Sequence, residues 1–276
     1  MFGRSLYAVF AVLVLATACG GGGQGGDASV VDKAKNDKKL VIGVKADQPG
    51  LGLRTPDGTF TGFDIEVATY VAKQLGVEPD GITFKETVSA NREAFLEQGQ
   101  VDLVVATYSI TDARKQKVSF AGPYFVAGQD LLVRADDTAL TGPETLNGKK
   151  LCSVAGSTPA QKVKTEYAKE VQLQEERTYS ACVDRVLGGQ LDALTTDNVI
   201  LAGYAAQHAG KLKVVGKPFS TEKYGIGLKK DDTAGRKAVN DALEKMFADG
   251  SWAKALQASV GSSGFTVPQA PALERY

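Results

Sequence analysis

Two hydrophobic patterns alternate along residues 40–260. Short continuous apolar runs, such as LVIGVK at 40–45 and DLVVA at 102–106, are typical of strands buried on both faces of a sheet. Between such runs lie segments whose apolar residues recur every three or four positions, which is the spacing of one face of a helix. One of them, residues 64–75, begins with two acidic residues, and acids in a first turn suit the helix dipole.

The patterns predict an α/β protein. Strands are expected at residues 40–45, 82–86, 102–106, 129–134, 150–154, 171–175, 192–195, 211–215 and 224–229. Helices are expected at residues 64–75, 90–98, 158–168, 180–188, 197–208, 233–248 and 251–259. Repeated strand–helix order predicts sheets with ligands at the carboxyl ends of the strands. Two such sets with mid-chain crossings indicate two lobes and a cleft between them.

The two ends of the chain lie outside this alternation. Residues 27–37 are polar and are interpreted as linker or a frayed helix. Residues 262–276 contain two prolines and no periodicity, which predicts an extended or mobile tail.

Composition excludes several classes of function. The 276 residues contain 32 Lys plus Arg and 32 Asp plus Glu, so no global charge favours nucleic acid. His208 is the one histidine, which argues against a histidine-rich metal site or a Ser-His-Asp triad. Outside the glycine run at 20–26, the sequence contains no GxGxxG motif, and it contains no GxxxxGK[ST] or HExxH motif. We expect a monomer without a catalytic residue, a cofactor or a metal.

The N-terminal segment has the pattern of a secretory signal peptide. Residues 1–18 have an early positive charge and an apolar core that is shorter than the ~20 residues a membrane-spanning helix needs. The run LVLATACGGGGQGG at 13–26 resembles a bacterial lipobox, in which cleavage precedes Cys19 and the thiol carries a lipid. Residues 19–37 would then be a flexible tether that anchors an extracytoplasmic protein to the cell membrane. The alternative is an ordinary signal peptide with a chance cysteine.

Cys152 and Cys182 are the other two cysteines. In an oxidising compartment, two cysteines in one folded body favour a disulfide. Two buried free thiols are the alternative. A catalytic thiol is disfavoured because neither cysteine lies in a motif with the single histidine.

Several segments together identify a family. They are GFDIEVATYVAKQL at 62–75, ATYSITDARKQKVSFAGPY at 106–124, VAGSTPAQ at 154–161, GGQLDALTTDNVILAGY at 188–204 and YGIGLKKDD at 224–232. In this order they resemble the family 3 extracellular solute-binding proteins of amino-acid ABC importers. The stretch VKADQPGLG at 44–52 resembles the branch that binds glutamate or aspartate. The resemblance implies a permease as partner and a two-lobed periplasmic-binding-protein fold of type II. Lobe I would consist of residues 38–128 and 228–261, and lobe II of residues 129–227.

The resemblance assigns residues to the α-carboxylate of an amino acid. Arg114 matches the family's arginine, whose planar fork grips a carboxylate through two parallel hydrogen bonds. Thr107 and Ser109 precede it at alternate positions and would face the same side. Thr158 would approach the same carboxylate from lobe II, at a helix N-terminus that favours anions. The residues alone also allow a surface arginine and a simple helix cap by Ser157 or Thr158.

The remaining groups of the ligand are assigned in the same way. Asp197 matches the family's acid for the α-ammonium, although on sequence alone it could merely cap a helix. Lys45 and Arg92 match cationic positions of the acidic branch and would hold a side-chain carboxylate, since an unpaired buried charge is prohibitive. Tyr179 matches a phenol that donates a hydrogen bond, and Arg54 is a further candidate. Surface charge for the cations and plain packing for Tyr179 are the alternatives.

Three functions remain open. The first is a lipid-anchored receptor that delivers glutamate or aspartate to an ABC importer. The second is the same receptor for glutamine, asparagine or a small dicarboxylate. The third is an enzyme of the dehydratase type, which would need a positioned acid–base group in the cleft.

Overall fold

The computed structural model describes residues 2–3 and 29–276. Its strands are β1 Leu40–Val44, β2 Asp47–Gln48, β3 Gly52–Arg54, β4 Phe60–Thr61, β5 Ile82–Glu86, β6 Leu103–Val104, β7 Ser119–Ala127, β8 Gln129–Arg134, β9 Lys150–Val154, β10 Gln172–Glu176, β11 Ala193–Asp197, β12 Leu212–Val214 and β13 Glu222–Leu228. Its α-helices are α1 Val30–Asp37, α2 Phe63–Gln74, α3 Arg92–Glu97, α4 Asp112–Lys115, α5 Pro159–Glu166, α6 Tyr179–Leu187, α7 Asn198–Gln207, α8 Thr233–Ala248 and α9 Ser251–Val260. In this part of the chain, none of the helices has both the length and the apolar character needed to cross a membrane.

Two five-stranded sheets organise the molecule. The first has the order β5-β1-β6-β13-β7, in which β1 is parallel to β5 and β6 while β13 is antiparallel to its neighbours. The second has the order β10-β9-β11-β8-β12, with β9 parallel to β10 and β11. The predicted α/β class is confirmed, because the continuous apolar runs form the central parallel strands.

Each sheet carries its own helices. We call the first sheet with α1, α2, α3, α8 and α9 the first half, and the second sheet with α5, α6 and α7 the second half. The short sheet β2-β3-β4 follows β1 and belongs to the first half, where the N–H of Phe63 on α2 donates to Gly50. The chain passes between the halves at Gly128 and at residues 215–221. A ligand that lies between the sheets is therefore reached from both halves.

The structure places one strand differently from the sequence analysis. Strand β13 pairs with β6 and β7 of the first sheet, whereas residues up to 227 were assigned to lobe II. Strand β7 was not predicted at all, because Gly122 and Pro123 interrupt its apolar run. As the last strand of its sheet, β7 tolerates a proline that cannot donate to a ladder.

The terminal segments are ordered parts of the first half. Of the two interpretations of residues 27–37, linker is wrong for residues 30–37 and helix is correct, because these residues form α1, whose Val30 and Ala34 are buried in the main core. The tail after residue 263 is extended, as expected, but it is held in place. Its Glu274 N–H donates to the Gly122 carbonyl, and Arg275 pairs with Asp241 and Glu244.

The predicted disulfide is confirmed. Cys152 on β9 is bonded to Cys182 on α6, with a Cα–Cα distance of 5.7 Å. Both residues are buried. The bond therefore fixes α6 to the sheet of the second half.

Candidate functional site

A small cavity lies at the carboxyl ends of the parallel strands of both sheets. It is lined from the first half by Ser89, Arg92, Thr107 and Ser109, and from the second half by Ser157, Thr158, Pro159, Tyr179 and Asp197. Six of the eight predicted ligand-binding residues are in this lining. Lys45 and Arg114 adjoin it through hydrogen bonds to Ser89 and to the Ser109 carbonyl.

Arg114 lies across the gap between the halves. Its Nη1 donates to the Ser109 carbonyl at 2.8 Å, and its Nη2 donates to the Gly156 carbonyl of the second half at 2.9 Å. Glu93 accepts from its Nε at 3.1 Å. The surface alternative for Arg114 is wrong, because the residue is only 8% exposed. Each nitrogen of its guanidinium thus has a hydrogen-bond acceptor, and these contacts fix the group beside the cavity.

Arg92 is buried and bonded to backbone carbonyls alone. Its Nε donates to Ser89 at 3.2 Å, and its Nη1 to Ala106 at 3.2 Å and Thr107 at 3.4 Å. Its Nη2 reaches Gly156 at 3.3 Å. Burial and the neighbouring Arg114 lower the pKa of Arg92 to about 10. Arg92 thus remains charged at neutral pH while tying several backbone segments together.

Gly156 receives both guanidinium groups from across the cleft. Its φ of +76° lies in the left-handed region, and a Cβ at this position would lie 2.6 Å from the Cα of Ala90 in the first half. Both facts require glycine. The absence of a side chain lets the backbone of the second half approach Arg92 and Arg114.

Asp64 fixes the conformation of Thr107. The Thr107 N–H donates to Asp64 Oδ2 at 2.8 Å, and Tyr124 donates its hydroxyl to Oδ1 at 2.7 Å. Thr107 has a φ of +44°, a costly conformation for a β-branched residue. The sequence analysis read Asp64 only as a first-turn acid, since its burial is not visible in the pattern.

Asp197 presents one free oxygen to the site. It occupies the cap position of α7 but makes no side-chain cap bond. Its Oδ2 accepts the Tyr224 hydroxyl at 2.6 Å, while Oδ1 is buried without a hydrogen-bond partner. Burial, and secondarily the charge of Glu222, raise the pKa of Asp197 to about 7. An unpaired buried carboxylate oxygen is costly, so this atom is poised to accept a donor.

Lys45 is a third buried cation. Its ammonium donates to Ser89 Oγ at 2.7 Å and lies 5.8 Å from the centre of the Tyr179 ring. Burial, and then the positive charge of Arg92, lower the pKa of Lys45 to about 7. An ammonium has three protons, and a bound anion would take further donors from it.

The second half contributes Thr158 and Tyr179. Neither Ser157 nor Thr158 caps α5 with its side chain. Thr158 occupies the cap position, but its Oγ1 lies 3.5 Å from Glu222 Oε2. The Oγ of Ser157 lies 3.3 Å from the Oγ of Ser153. Tyr179 is the first residue of α6 and is buried. Burial, and then the negative charge of Asp197, raise its pKa to about 12. Its phenol therefore remains a proton donor at neutral pH.

Arg54 lies elsewhere. It is exposed, with its guanidinium 5.9 Å from the centre of the Phe60 ring. Among the described residues, no group of three or more His, Cys, Asp or Glu could hold a metal ion. Two larger grooves on the surface, one beside Lys33 and Asp102 and one beside Tyr70 and Lys73, lack the convergence of buried charges found in the small cavity.

The site is therefore dipolar. Arg92 lines the cavity from the first half with Lys45 and Arg114 beside it, and Asp197, which has one unpaired oxygen, lines it from the second half. In a space of low dielectric constant, such groups strongly favour a small molecule that carries both anionic and cationic groups.

Comparison with known proteins agrees with this chemistry. The model of the bacterial extracellular solute-binding proteins, family 3, matches residues 40–261. The glutamate-binding protein GluB of Corynebacterium glutamicum is 46% identical over 268 residues, covering 93% of this chain and 89% of its own length. The ABC transporter glutamine-binding protein GlnH of Bacillus subtilis is 39% identical over 259 residues, covering 91% of this chain and 94% of its own.

A solved structure extends the similarity to the fold. An ancestral arginine-binding protein bound to glutamine superposes with a TM-score of 0.76 at 34% identity. The match covers 81% of this chain and 98% of that one. A protein of similar fold has thus been solved with glutamine bound.

Proposed function

Since the chain belongs to the bacterial extracellular solute-binding proteins, family 3, we propose that it captures glutamate or aspartate outside the cytoplasm and delivers it to the permease of an ABC importer. The predicted family resemblance is confirmed, and so is the periplasmic-binding-protein type of fold. The receptor role in amino-acid transport follows from the family and from the glutamate- and glutamine-binding relatives.

The free Oδ1 of Asp197 is the observation that carries the proposal. It is buried without a partner in a cavity whose one other charged lining residue is the cation Arg92. An α-ammonium supplies the missing donor, while the α-carboxylate of the same molecule pairs with Arg114. Thr107, Ser109 and Thr158 offer the remaining donors around the carboxylate. This division assigns one charged group of the ligand to each side of the cleft.

The preference for an acidic side chain rests on the excess of cations. After Arg114 has paired with the α-carboxylate, Lys45 and Arg92 still need an anion, and Tyr179 adds a neutral donor beside Lys45. A second carboxylate on the ligand meets this need. The 46% identity with GluB supports glutamate in particular.

Glutamine is the second candidate, because GlnH is 39% identical over most of both chains. A lysine whose pKa is lowered to about 7 can be neutral, and a neutral amine tolerates an amide. Asparagine or a small dicarboxylate would use the same groups in part. A dehydratase activity is not favoured, because each buried charged group of the cavity has a role in binding.

Calorimetric titration of the purified protein tests the proposal. Glutamate, aspartate, glutamine, asparagine and succinate are titrated separately, and the ligand is recovered afterwards to check that it is unchanged. We expect glutamate or aspartate to bind most tightly and succinate, which lacks the ammonium, to bind weakly. Asp197→Asn should abolish amino-acid binding, whereas Asp80→Asn, at an exposed site, should bind normally. Equal binding by both variants would contradict the assignment.

A further inference from the structure

Asp47 of the first half bonds to the N-terminus of α6 in the second half. Its Oδ2 accepts the N–H of Tyr179 at 2.8 Å and the N–H of Ser180 at 3.2 Å. The pairs are separated by 132 and 133 residues along the chain. None of the predicted ligand-binding roles involves this carboxylate.

The contact completes the cap of α6. Thr178 caps the helix locally by accepting the N–H of Ala181, which leaves the N–H groups of Tyr179 and Ser180 for an acceptor from elsewhere. The first N–H groups of any helix lack partners within it, and a negative charge there is favourable. A carboxylate from the opposite half satisfies both requirements at once.

Helix α7 meets the same short segment of the first half. The Tyr204 hydroxyl donates to the Asp47 carbonyl and lies 3.3 Å from its Oδ2. One residue earlier on α7, a Cβ at Gly203 would lie 2.3 Å from the Pro49 carbonyl. The backbone after Asp47 thus packs directly on α7, at a distance that only glycine permits.

These contacts exist only while the two halves lie together. The second half joins the first through Gly128 and residues 215–221, so separation of the sheets would pull Asp47 away from α6 and α7. Tyr179, the residue whose N–H binds Asp47 most closely, also lines the cavity. The position of this phenol and the closure of the cleft therefore share one hydrogen-bonded support.

We propose that Asp47 is a positioning residue for ligand binding: its carboxylate, by capping α6 across the cleft, holds the halves together and places Tyr179 over the site. We call this set of contacts the Asp47 clasp, formed by Asp47, Tyr179, Ser180 and Tyr204. The clasp raises the affinity for every amino acid the site accepts, because it acts on closure and not on one group of the ligand. This inference rests on the proposed function.

Hydrogen exchange tests the clasp directly. In Asp47→Ala, the amides of Tyr179 and Ser180 lose their acceptor and should exchange about tenfold faster or more, while the amides of β9 should keep their rates. Asp57→Ala is the matched control, because it removes an equal charge from the next turn of the same half without contacting α6. Unchanged exchange in Asp47→Ala, or the same acceleration in Asp57→Ala, would overturn the proposal.

Titration gives the functional readout. Asp47→Ala should bind both glutamate and glutamine about tenfold more weakly or worse, Asp57→Ala should match the wild type, and Asp47→Asn, which keeps one oxygen acceptor, should lie between them. A loss confined to one ligand would overturn the proposal, since it would indicate direct contact with a side chain.

Two further comparisons keep the test decisive. If Asp47→Ala does not fold, Tyr204→Phe removes one donor of the clasp and should weaken both ligands in the same ratio; wild-type affinity in that variant would overturn the proposal. If the wild type binds no amino acid, the proposed function fails, while the exchange rates without ligand still decide whether the clasp forms.

Discussion

The carboxylate of Asp64 holds the backbone N–H of Thr107 at 2.8 Å, and Thr107 keeps a φ of +44° at the edge of the cavity. The two residues are 43 positions apart, on α2 and after β6. A helix of the first half thus determines the shape of the loop that contributes Thr107 and Ser109 to the site.

Asp64→Asn should weaken ligand binding while the hydrophobic core stays folded. The amide keeps an oxygen for one of the two donors, but the charge-assisted bond is lost, which costs about 1.5–3 kcal/mol. Thr107 would then relax from its left-handed conformation. We expect weaker binding of both glutamate and glutamine in titrations. Thr69→Ala, on the same helix, is the control, and wild-type affinity in Asp64→Asn would contradict the role given to this acid.

Lys45→Met should separate the two candidate ligands. The sequence analysis treated Lys45 and Arg92 as a pair, but Lys45 bonds to one hydroxyl whereas Arg92 bonds to four backbone carbonyls. We therefore expect Lys45→Met to weaken glutamate and spare glutamine. Arg92→Met should weaken both ligands and lower the unfolding midpoint, because it strands buried carbonyls. Equal losses for the two ligands in Lys45→Met would show that this lysine does not contact the side chain.

Protons should move when glutamate binds. Lys45 has its pKa lowered to about 7, and a bound carboxylate would raise it, so binding at pH 8 should take up a proton. Asp197 has its pKa raised to about 7, and a bound ammonium would lower it, so binding at pH 6 should release one. Affinity for glutamate should fall on both sides of neutrality, and affinity for glutamine mainly on the acid side.

Calorimetry in buffers of different ionisation enthalpy measures these protons. Lys45→Met should lose the uptake at pH 8 and keep the release at pH 6. The pH dependence of stability should reflect the same lysine. Its pKa in the folded protein lies below the value of 10.5 in the unfolded chain, so the unfolded chain binds more protons. The free energy of unfolding should therefore rise from pH 7 toward pH 10. Uptake that persists in Lys45→Met would assign the proton to another group.

Loss of the disulfide should destabilise the second half. Cys152 and Cys182 are separated by 30 residues, and on the chain-entropy model a bridge of this span contributes about 3–4 kcal/mol. Cys152→Ala with Cys182→Ala should lower the free energy of unfolding by that amount in urea. The wild type unfolded with reductant should approach the double variant. Identical midpoints with and without the bridge would contradict the expectation.

The lipid anchor lies outside the described residues and stays a prediction. If Cys19 is lipidated, Cys19→Ala should move the protein from the membrane to the soluble fraction of the cells that produce it. Thr17→Ala, which leaves the cysteine in place, should remain at the membrane. Retention of Cys19→Ala would refute the anchor.

The sequence predicted most of the fold because buried parallel strands are continuous apolar runs. Six of the eight residues that the family resemblance assigned to ligand binding line the small cavity, and their roles there stay predictions. Residues that act across the cleft were missed for a physical reason. Asp47 and α6 are 132 residues apart, and nothing local to either indicates their contact.

Other elements and site residues were not predicted because their sequence signals are short or sparse. Helix α1 buries only Val30 and Ala34. Two apolar residues in a polar segment are too few to establish a helical period. Strands β2 and β4 have two residues each, too few for a period. Burial of Asp64 and Tyr224 depends on the packing of distant elements, so composition could not assign them to the site.

The position of α1 decides where a pull on the N-terminus would act. Ser29 Oγ and the Val30 N–H donate to Asp232, at 2.7 and 2.9 Å, and Lys33 pairs with Asp102. All of these residues lie in the first half. A force transmitted along the segment before Ser29 would act on the first half, through the start of α8. The connections between the halves, at Gly128 and residues 215–221, would carry none of this force. If the N-terminus is tethered at Cys19, as predicted, tension on the tether would not pull the second half away from the first.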